Sequence, residues 1–313
     1  MMRSGSSRGI AAVVGVGPKL GRSIARKFVH EGYTVAILSR DLGTLSRFAD
    51  EIAREEKAQV FAIRIDCSDS RSIREAFEGV LSLGFVEVLV YNAYKEVSRK
   101  PTNFVDIKVD QYEKSMAVSS VGAFHCAQQV LPGMVERGRG TILFSGCSAS
   151  VSGVAGFSEL CCGKFALRGL SQCLVREFQP LGIHVAHVII DGFVGTPRGA
   201  LLGSSSLQQQ RWGVREMQVE NEEEGMDPDH LARTYWHLHI QHHPLGPKRL
   251  IFVLPIPPKP HYYSIFLNPT QTYNQLYFHA KHSKLYLDAR ILDMIFLSLY
   301  TTPCELEMIC KMS

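Results

Sequence analysis

Several features that would define a function outright are missing from the sequence. The eight cysteines among its 313 residues form no Cys-x-x-Cys pair and no metal-ligand spacing, which favours reduced thiols in the cytosol. No apolar run reaches the ~18 residues of a membrane span, and the N-terminal residues lack the apolar stretch of a signal peptide. We therefore expect a cytoplasmic protein that is not associated with a membrane.

Charge and histidine content exclude two further classes of partner. The net charge is only +4 and is spread along the chain, with no basic stripe interleaved with aromatics, so we expect no nucleic-acid partner. His237, His239, His242 and His243 crowd one predicted helix end, but no carboxylate or cysteine completes a zinc site there. We therefore expect no metal, and a hydrophobic content of 45% instead indicates a substantial core.

Strand and helix patterns alternate from residue 10 to about residue 241. The strands are expected at residues 10–14, 33–38, 59–65, 86–91, 140–145 and 183–190, and the helices at 19–31, 42–56, 70–83, 110–136, 157–178 and 227–241. Such alternation predicts an α/β fold with a doubly wound parallel sheet and helices on both faces, as in a Rossmann fold. We expect one such domain over residues 1–243, with an atypical C-terminal extension.

The first strand ends in a glycine-rich turn that a helix follows directly. Gly15, Gly17 and Gly21 allow a sharp turn and a close approach to a ligand, and a helix start attracts an anion. The spacing departs from the strict G-x-G-x-x-G of dinucleotide sites, so an ordinary strand–helix turn is the alternative interpretation.

Ligands of a doubly wound sheet bind at the carboxyl ends of its strands. The residues at these ends are Ser39 and Arg40, then Asp66 and Cys67, then Asn92 and Ala93. An acid after the second strand would bind a ribose 2′-hydroxyl, whereas an arginine accommodates a 2′-phosphate. Because Arg40 is present and the acid is absent, the sequence favours NADP(H) over NAD(H), unless Arg40 is merely a surface residue at a helix start.

These residues together resemble the short-chain dehydrogenase/reductase family over about residues 8–241. The resemblance is carried by Gly15 to Gly21, Asp66, Asn92–Ala93, Gly122, Pro132, the run Lys164 to Leu170, and Asp191–Gly192. It implies that Asp66 contacts the adenine, that Asn92–Ala93 flank a cofactor ribose, and that Lys164 holds the nicotinamide ribose. It also implies an NADP(H)-binding oxidoreductase that acts on a small molecule, and a homo-oligomer is a further expectation from the resemblance.

The family's proton-handling residues are mostly replaced in this chain. Its tyrosine, four residues before Lys164, falls on Leu160, its serine on Cys147 and its asparagine on Ser119. We therefore expect altered or impaired carbonyl reduction, with any real substrate protonated by solvent or by itself. Tyr94 could act as a substitute acid, although a packing role is favoured. The alternative function is a non-catalytic NADP(H)-binding scaffold or sensor that acts through oligomer contacts.

Composition changes near the C-terminal end. Beyond His243 only Gly246 remains of the 26 glycines, and the apolar run that starts at Leu250 could add a strand but is stopped by prolines. The family's last strand is not recognisable there, so we expect residues 244–313 to lie outside the fold, as in the product of an aberrant transcript.

The segment 192–225 is long for a connection between two elements, which is typical of a binding lid, and its sequence does not indicate a substrate.

Overall fold

The structure is a computed structural model. It describes residues 8–95, 101–192, 194–195 and 226–241, together with the backbone of three later strands. Of the four clustered histidines, His242 and His243 therefore lie outside the described residues, as does most of the predicted lid over residues 192–225.

The centre of the fold is a seven-stranded sheet in the order β3-β2-β1-β4-β5-β6-β7. The strands are β1 (Ile10–Val14), β2 (Thr34–Ser39), β3 (Val60–Arg64), β4 (Val86–Tyr91), β5 (Gly140–Cys147), β6 (Ile183–Asp191) and β7 (Val253–Pro255). Every neighbouring pair is parallel. The order reverses between β1 and β4, so the predicted doubly wound Rossmann sheet is confirmed, with its ligand edge at the carboxyl ends of these strands.

Helices cover both faces of the sheet. They are α1 (Leu20–His30), α2 (Leu42–Glu56), α3 (Ser70–Ser82), α4 (Val109–Met116), α5 (Gly122–Arg137), α6 (Ser158–Phe178) and α7 (Pro228–Ile240). One core contains residues of α3, α5 and α6, and the other contains residues of α1, α2 and α7. Because β1 contributes Ala12 and Val14 to the first core and Ala11 and Val13 to the second, all its residues are apolar.

The helix predicted over residues 110–136 is interrupted, which corrects that expectation. A π-helical turn, Ala117–Val121, separates α4 from α5. The hydroxyl of Tyr91 donates a hydrogen bond to the carbonyl of Val118, inside that turn. A side chain that donates to a backbone carbonyl competes with the regular hydrogen bonds of the α-helix, and this favours a local π-helical turn. The break lies directly around Ser119, one of the predicted site residues.

The part of the chain after residue 243 adds more to the sheet than the sequence indicated. The backbone of Val253–Pro255 pairs in parallel with β6, opposite Ile189 to Asp191. The prediction that no closing strand follows the sixth is therefore wrong for these three residues, although the prolines do keep β7 short. Strands β8 (His261–Phe266) and β9 (Tyr277–Lys281) form a separate antiparallel pair. A domain boundary at residue 243 stays a prediction.

A polar network ties α7 to the amino-terminal ends of the strands. His239 Nε2 lies 2.6 Å from the Tyr33 hydroxyl, and His239 Nδ1 lies 2.9 Å from Thr141 Oγ1. Burial lowers the pKa of His239 to about 4, with Arg8 also lowering it and Glu87 opposing. The histidine is therefore held neutral in the folded protein.

This neutral histidine predicts a loss of stability in weak acid. An unfolded histidine has a pKa near 6.5 and gains a proton first, so the folded state loses stability as the pH falls from about 6.5 towards 4. The shift to about 4 corresponds to a loss of up to about 3 kcal/mol. Urea unfolding between these pH values should show that loss in the unaltered protein and much less of it in His239→Gln. The exposed His237 provides the control, since His237→Gln should follow the unaltered protein; equal losses in all three would contradict the assignment.

Among the residues that the structure describes, none of the helices is both long and apolar enough to cross a bilayer.

Candidate active site

The glycine turn after β1 is held tightly against the end of β4. Gly15 has a φ of +85°, and a Cβ added to it would lie 2.4 Å from the Ala93 nitrogen. The Asn92 side chain donates a hydrogen bond of 2.9 Å to the Gly15 carbonyl. A Cβ on Gly21 would lie 2.8 Å from Val16 Cα, so this glycine lets α1 start directly against the turn. Only glycine fits at positions 15 and 21 without a shift of backbone.

Gly17 is different, because a Cβ added there would meet nothing within 4 Å. It lies in open space just before α1, whose first turn has no side-chain cap. Unpaired N–H groups and the positive end of the helix dipole are what a phosphate group requires. The turn therefore has the open space and the helix start that a phosphate group needs, while its role in binding a dinucleotide stays a prediction.

The end of β2 forms a cleft lined by Ser39, Arg40 and Asp41. Asp41 is an acid that the sequence analysis did not weigh. Its carboxylate accepts hydrogen bonds from the Thr44 backbone N–H at 3.1 Å and from the Thr44 hydroxyl at 2.7 Å, and so caps α2. Asp41 is engaged in this cap, and the exposed Arg40 beside it forms no salt bridge with a described residue, so Arg40 is the strand-end charge accessible to a ligand.

Asp66 and Cys67 follow β3, and their side chains have different surroundings. Asp66 Oδ1 accepts hydrogen bonds from the Ser68 N–H at 2.9 Å and the Ser68 hydroxyl at 2.7 Å. These bonds, and to a lesser extent the charge of Arg40, lower the pKa of Asp66. The Cys67 side chain is buried in the core that contains Cys126. Any contact of Cys67 with a ligand at this edge would therefore involve its backbone, while its predicted place in a cofactor site stays a prediction.

Lys164 lies on α6 with its ammonium group at the end of β5. The residue is only 6% exposed, and Nζ donates a hydrogen bond of 2.9 Å to the Ser145 carbonyl. Burial lowers the pKa of Lys164. The Ser145 hydroxyl in turn lies 2.7 Å from the Tyr235 hydroxyl of α7, in the core. Sequence reasoning missed this anchor because it joins three distant segments, and the only signal was the polar Ser145 inside an apolar strand.

The residues predicted at the family's tyrosine, serine and asparagine positions lie near this lysine. Leu160 lies one turn before Lys164 in α6, and Cys147 is the half-buried last residue of β5. Ser119 is 1% exposed, and a Cβ added to Gly163 would lie 2.8 Å from Ser119 Cβ. The structure therefore brings Ser119, Cys147 and Lys164 to one region. A leucine there supplies no proton, and a thiol is a weak hydrogen-bond donor.

Two further features lie behind this region. The Ser150 hydroxyl donates a hydrogen bond of 2.6 Å to the Cys147 carbonyl, and His187 Nε2 lies 3.3 Å from the same hydroxyl. Asp191 ends β6, and Gly192 follows it at the ligand edge of the sheet.

Within the described ranges no group of three or more histidine, cysteine or acidic side chains is arranged to hold a metal.

The turn, the strand-end residues and the buried lysine define a dinucleotide-binding α/β protein. The chain belongs to the short chain dehydrogenase family, whose model matches residues 9–204. A 3-dehydrosphinganine reductase of Danio rerio is 30% identical over 181 residues, which are 55% of this chain and 53% of that protein. The chain thus spans about half the length of the curated relatives of this kind that it matches.

Solved structures show the same fold. A short-chain dehydrogenase from Streptomyces avermitilis superimposes with a TM-score of 0.64 and 26% identity, covering 79% of this chain and 88% of that chain. A metagenomic short-chain oxidoreductase in complex with NADP has a TM-score of 0.59 and 21% identity, covering 75% of this chain and 91% of that chain. The predicted family is confirmed, whereas the assignment of Leu160 to the tyrosine position stays a prediction.

Proposed function

We propose that this chain is an NADP(H)-dependent oxidoreductase whose reduction of simple ketones is impaired. The observation that carries the proposal is the buried Lys164, anchored on the Ser145 carbonyl, with Leu160 one turn before it. The glycine turn and the lysine suit cofactor binding, while the leucine cannot act as an acid. The NADP complex of the metagenomic relative supports the choice of cofactor.

In this proposal each part of the site binds a different part of the cofactor. The turn at Gly15 and Gly17 with the α1 N-terminus holds the diphosphate, Arg40 holds a 2′-phosphate, and Lys164 holds a ribose. When bound, the nicotinamide supplies a hydride to a carbonyl carbon. The site must then stabilise negative charge on the carbonyl oxygen and deliver a proton to it, and neither Leu160 nor Cys147 does this well.

A turnover assay tests the proposal directly. NADPH is mixed with the protein and a panel of carbonyl compounds that includes 3-ketodihydrosphingosine, because the similar reductases of Bos taurus and Mus musculus are named for it. We expect NADPH binding in calorimetry and slow, measurable oxidation with one class of ketone. Absence of NADPH binding would contradict the proposal as a whole.

A non-catalytic scaffold is the second candidate. It is favoured by exposed aromatic side chains on two neighbouring helices, Phe124 on α5 and Phe165 on α6, which suit contact with a second copy of the chain. Binding of NADPH without turnover of any compound in the panel, combined with a dimer in sedimentation, would decide for this candidate.

Cofactor preference gives a separate prediction. We expect NADPH to bind about tenfold or more tightly than NADH, because a charge-assisted contact from Arg40 to the 2′-phosphate contributes about 1.5–3 kcal/mol. Calorimetry with both cofactors measures this preference. Arg40→Ala should remove most of it, and Arg47→Ala, on the exposed side of α2, should not. Equal dissociation constants in the unaltered protein would refute the role of Arg40.

A further inference from the structure

The Tyr94 side chain lies beside the ammonium group of the proposed site. Tyr94 follows Asn92 and Ala93 at the carboxyl end of β4, and its ring centroid is 5.9 Å from Lys164 Nζ. That distance is within the ~6 Å at which a cation and an aromatic face attract each other. Tyr94 is also 57% exposed, so the packing role favoured from the sequence is not a role in the core.

Two other hydroxyl groups near the lysine are buried. The Ser145 hydroxyl is hydrogen-bonded to Tyr235, and both residues are buried. Ser119 is 1% exposed. Among the described residues, Tyr94 is therefore the solvent-accessible phenol beside Lys164.

We propose that Tyr94 is the proton donor of this site, in place of the hydroxyl that position 160 lacks. The inference rests on the proposed reductase function and names the residue that completes it. A phenol is a better proton donor than an aliphatic hydroxyl, and the Tyr94 ring is placed next to the lysine, with its centroid 5.9 Å from Lys164 Nζ.

The proposed step balances without any further reactant. The carbonyl carbon of the substrate gains a hydride from NADPH, and its oxygen gains the phenolic proton of Tyr94. The C=O π bond is replaced by a C–H and an O–H bond, so the ketone is reduced to an alcohol and NADPH is oxidised to NADP⁺. The phenolate then regains a proton from water, which reaches the ring because the side chain is exposed.

The test replaces the hydroxyl and keeps the ring. Tyr94→Phe preserves the aromatic face over Lys164, so we expect an unchanged dissociation constant for NADPH in calorimetry. The kcat for the best ketone of the panel should fall about a hundredfold or more, the loss typical of a missing general acid. Tyr112→Phe, at a partly exposed tyrosine of α4, is the matched control and should keep the kcat of the unaltered protein.

A second measurement does not depend on turnover. Tetranitromethane should nitrate Tyr94 in the free protein, as mapped by peptide mass spectrometry, because the ring is exposed. NADPH and the ketone together should suppress that nitration if the phenol faces the reacting carbonyl. Nitration that is unaffected by both ligands would overturn the proposal.

The kinetic outcomes separate this inference from the proposed function. If Tyr94→Phe keeps its kcat within twofold, or only weakens NADPH binding, Tyr94 is not the donor and the reductase function still stands. If the unaltered protein binds NADPH but turns over no ketone, both the donor role and catalysis are overturned. Restoration of the Tyr94→Phe rate by adding Leu160→Tyr would support a shared donor function.

Discussion

Leu160→Tyr combined with Cys147→Ser is expected to raise the rate of simple ketone reduction by about 10²-fold or more. Residues 160 and 164 are four apart in α6 and so lie on the same face of the helix, beside the anchored ammonium group. The new phenol would supply a general acid on α6 itself, in addition to the proposed donor Tyr94, and a well-placed general acid contributes about 10²–10⁴ in rate. The serine would be a better hydrogen-bond donor than the thiol. Following NADPH absorbance with several ketones measures the gain.

Leu160→Phe with Cys147→Ser is the matched control for that experiment. It adds the same ring without the hydroxyl, so a gain shared by both double variants would come from packing and not from proton transfer. The reasoning fails if the unaltered protein already reduces simple ketones at about 1–10³ per second, the range of ordinary enzymes. A gain confined to the variant with tyrosine would show that proton donation limits the rate of the unaltered protein, even with Tyr94 present.

The alternation of strands and helices was predictable because both faces of the sheet are buried. Strands in such a sheet are short, continuous apolar runs, as in β1, and they stand out against amphipathic helices. The glycine turn was predictable for a similar reason, since Gly15 and Gly21 are required by contacts between adjacent segments. The order of these local signals is what made the family recognisable.

What sequence reasoning missed depends on contacts between distant segments. The π-helical turn around Ser119 accompanies a hydrogen bond from Tyr91 on β4, which no local pattern reveals. The anchor of Lys164 is a backbone carbonyl, that of Ser145, and a carbonyl carries no sequence signal. The exposure of Tyr94 depends in the same way on how β4 ends beside α6. Such features define the candidate site more closely than the motifs do.

Alanine at two glycines of the first turn should have different effects, on the stability of the fold at position 15 and on NADPH binding at position 17. In Gly15→Ala the new Cβ would lie 2.4 Å from the Ala93 nitrogen, at a φ of +85°, so we expect a large loss of stability. The left-handed backbone conformation alone costs about 1–2 kcal/mol, and the backbone clash adds to it. Urea unfolding should therefore give a clearly lower midpoint than for the unaltered protein.

In Gly17→Ala the fold should be unaffected, because a Cβ there meets nothing within 4 Å, yet the NADPH dissociation constant should rise about tenfold or more. The methyl group would occupy the space in which the backbone approaches a diphosphate, and one lost charge-assisted hydrogen bond costs about 1.5–3 kcal/mol. Gly169→Ala, at an exposed glycine of α6 with equally open surroundings, is the control and should change neither measurement for the worse. If Gly17→Ala binds NADPH as tightly as the unaltered protein, the turn is an ordinary strand–helix connection and the phosphate lies elsewhere.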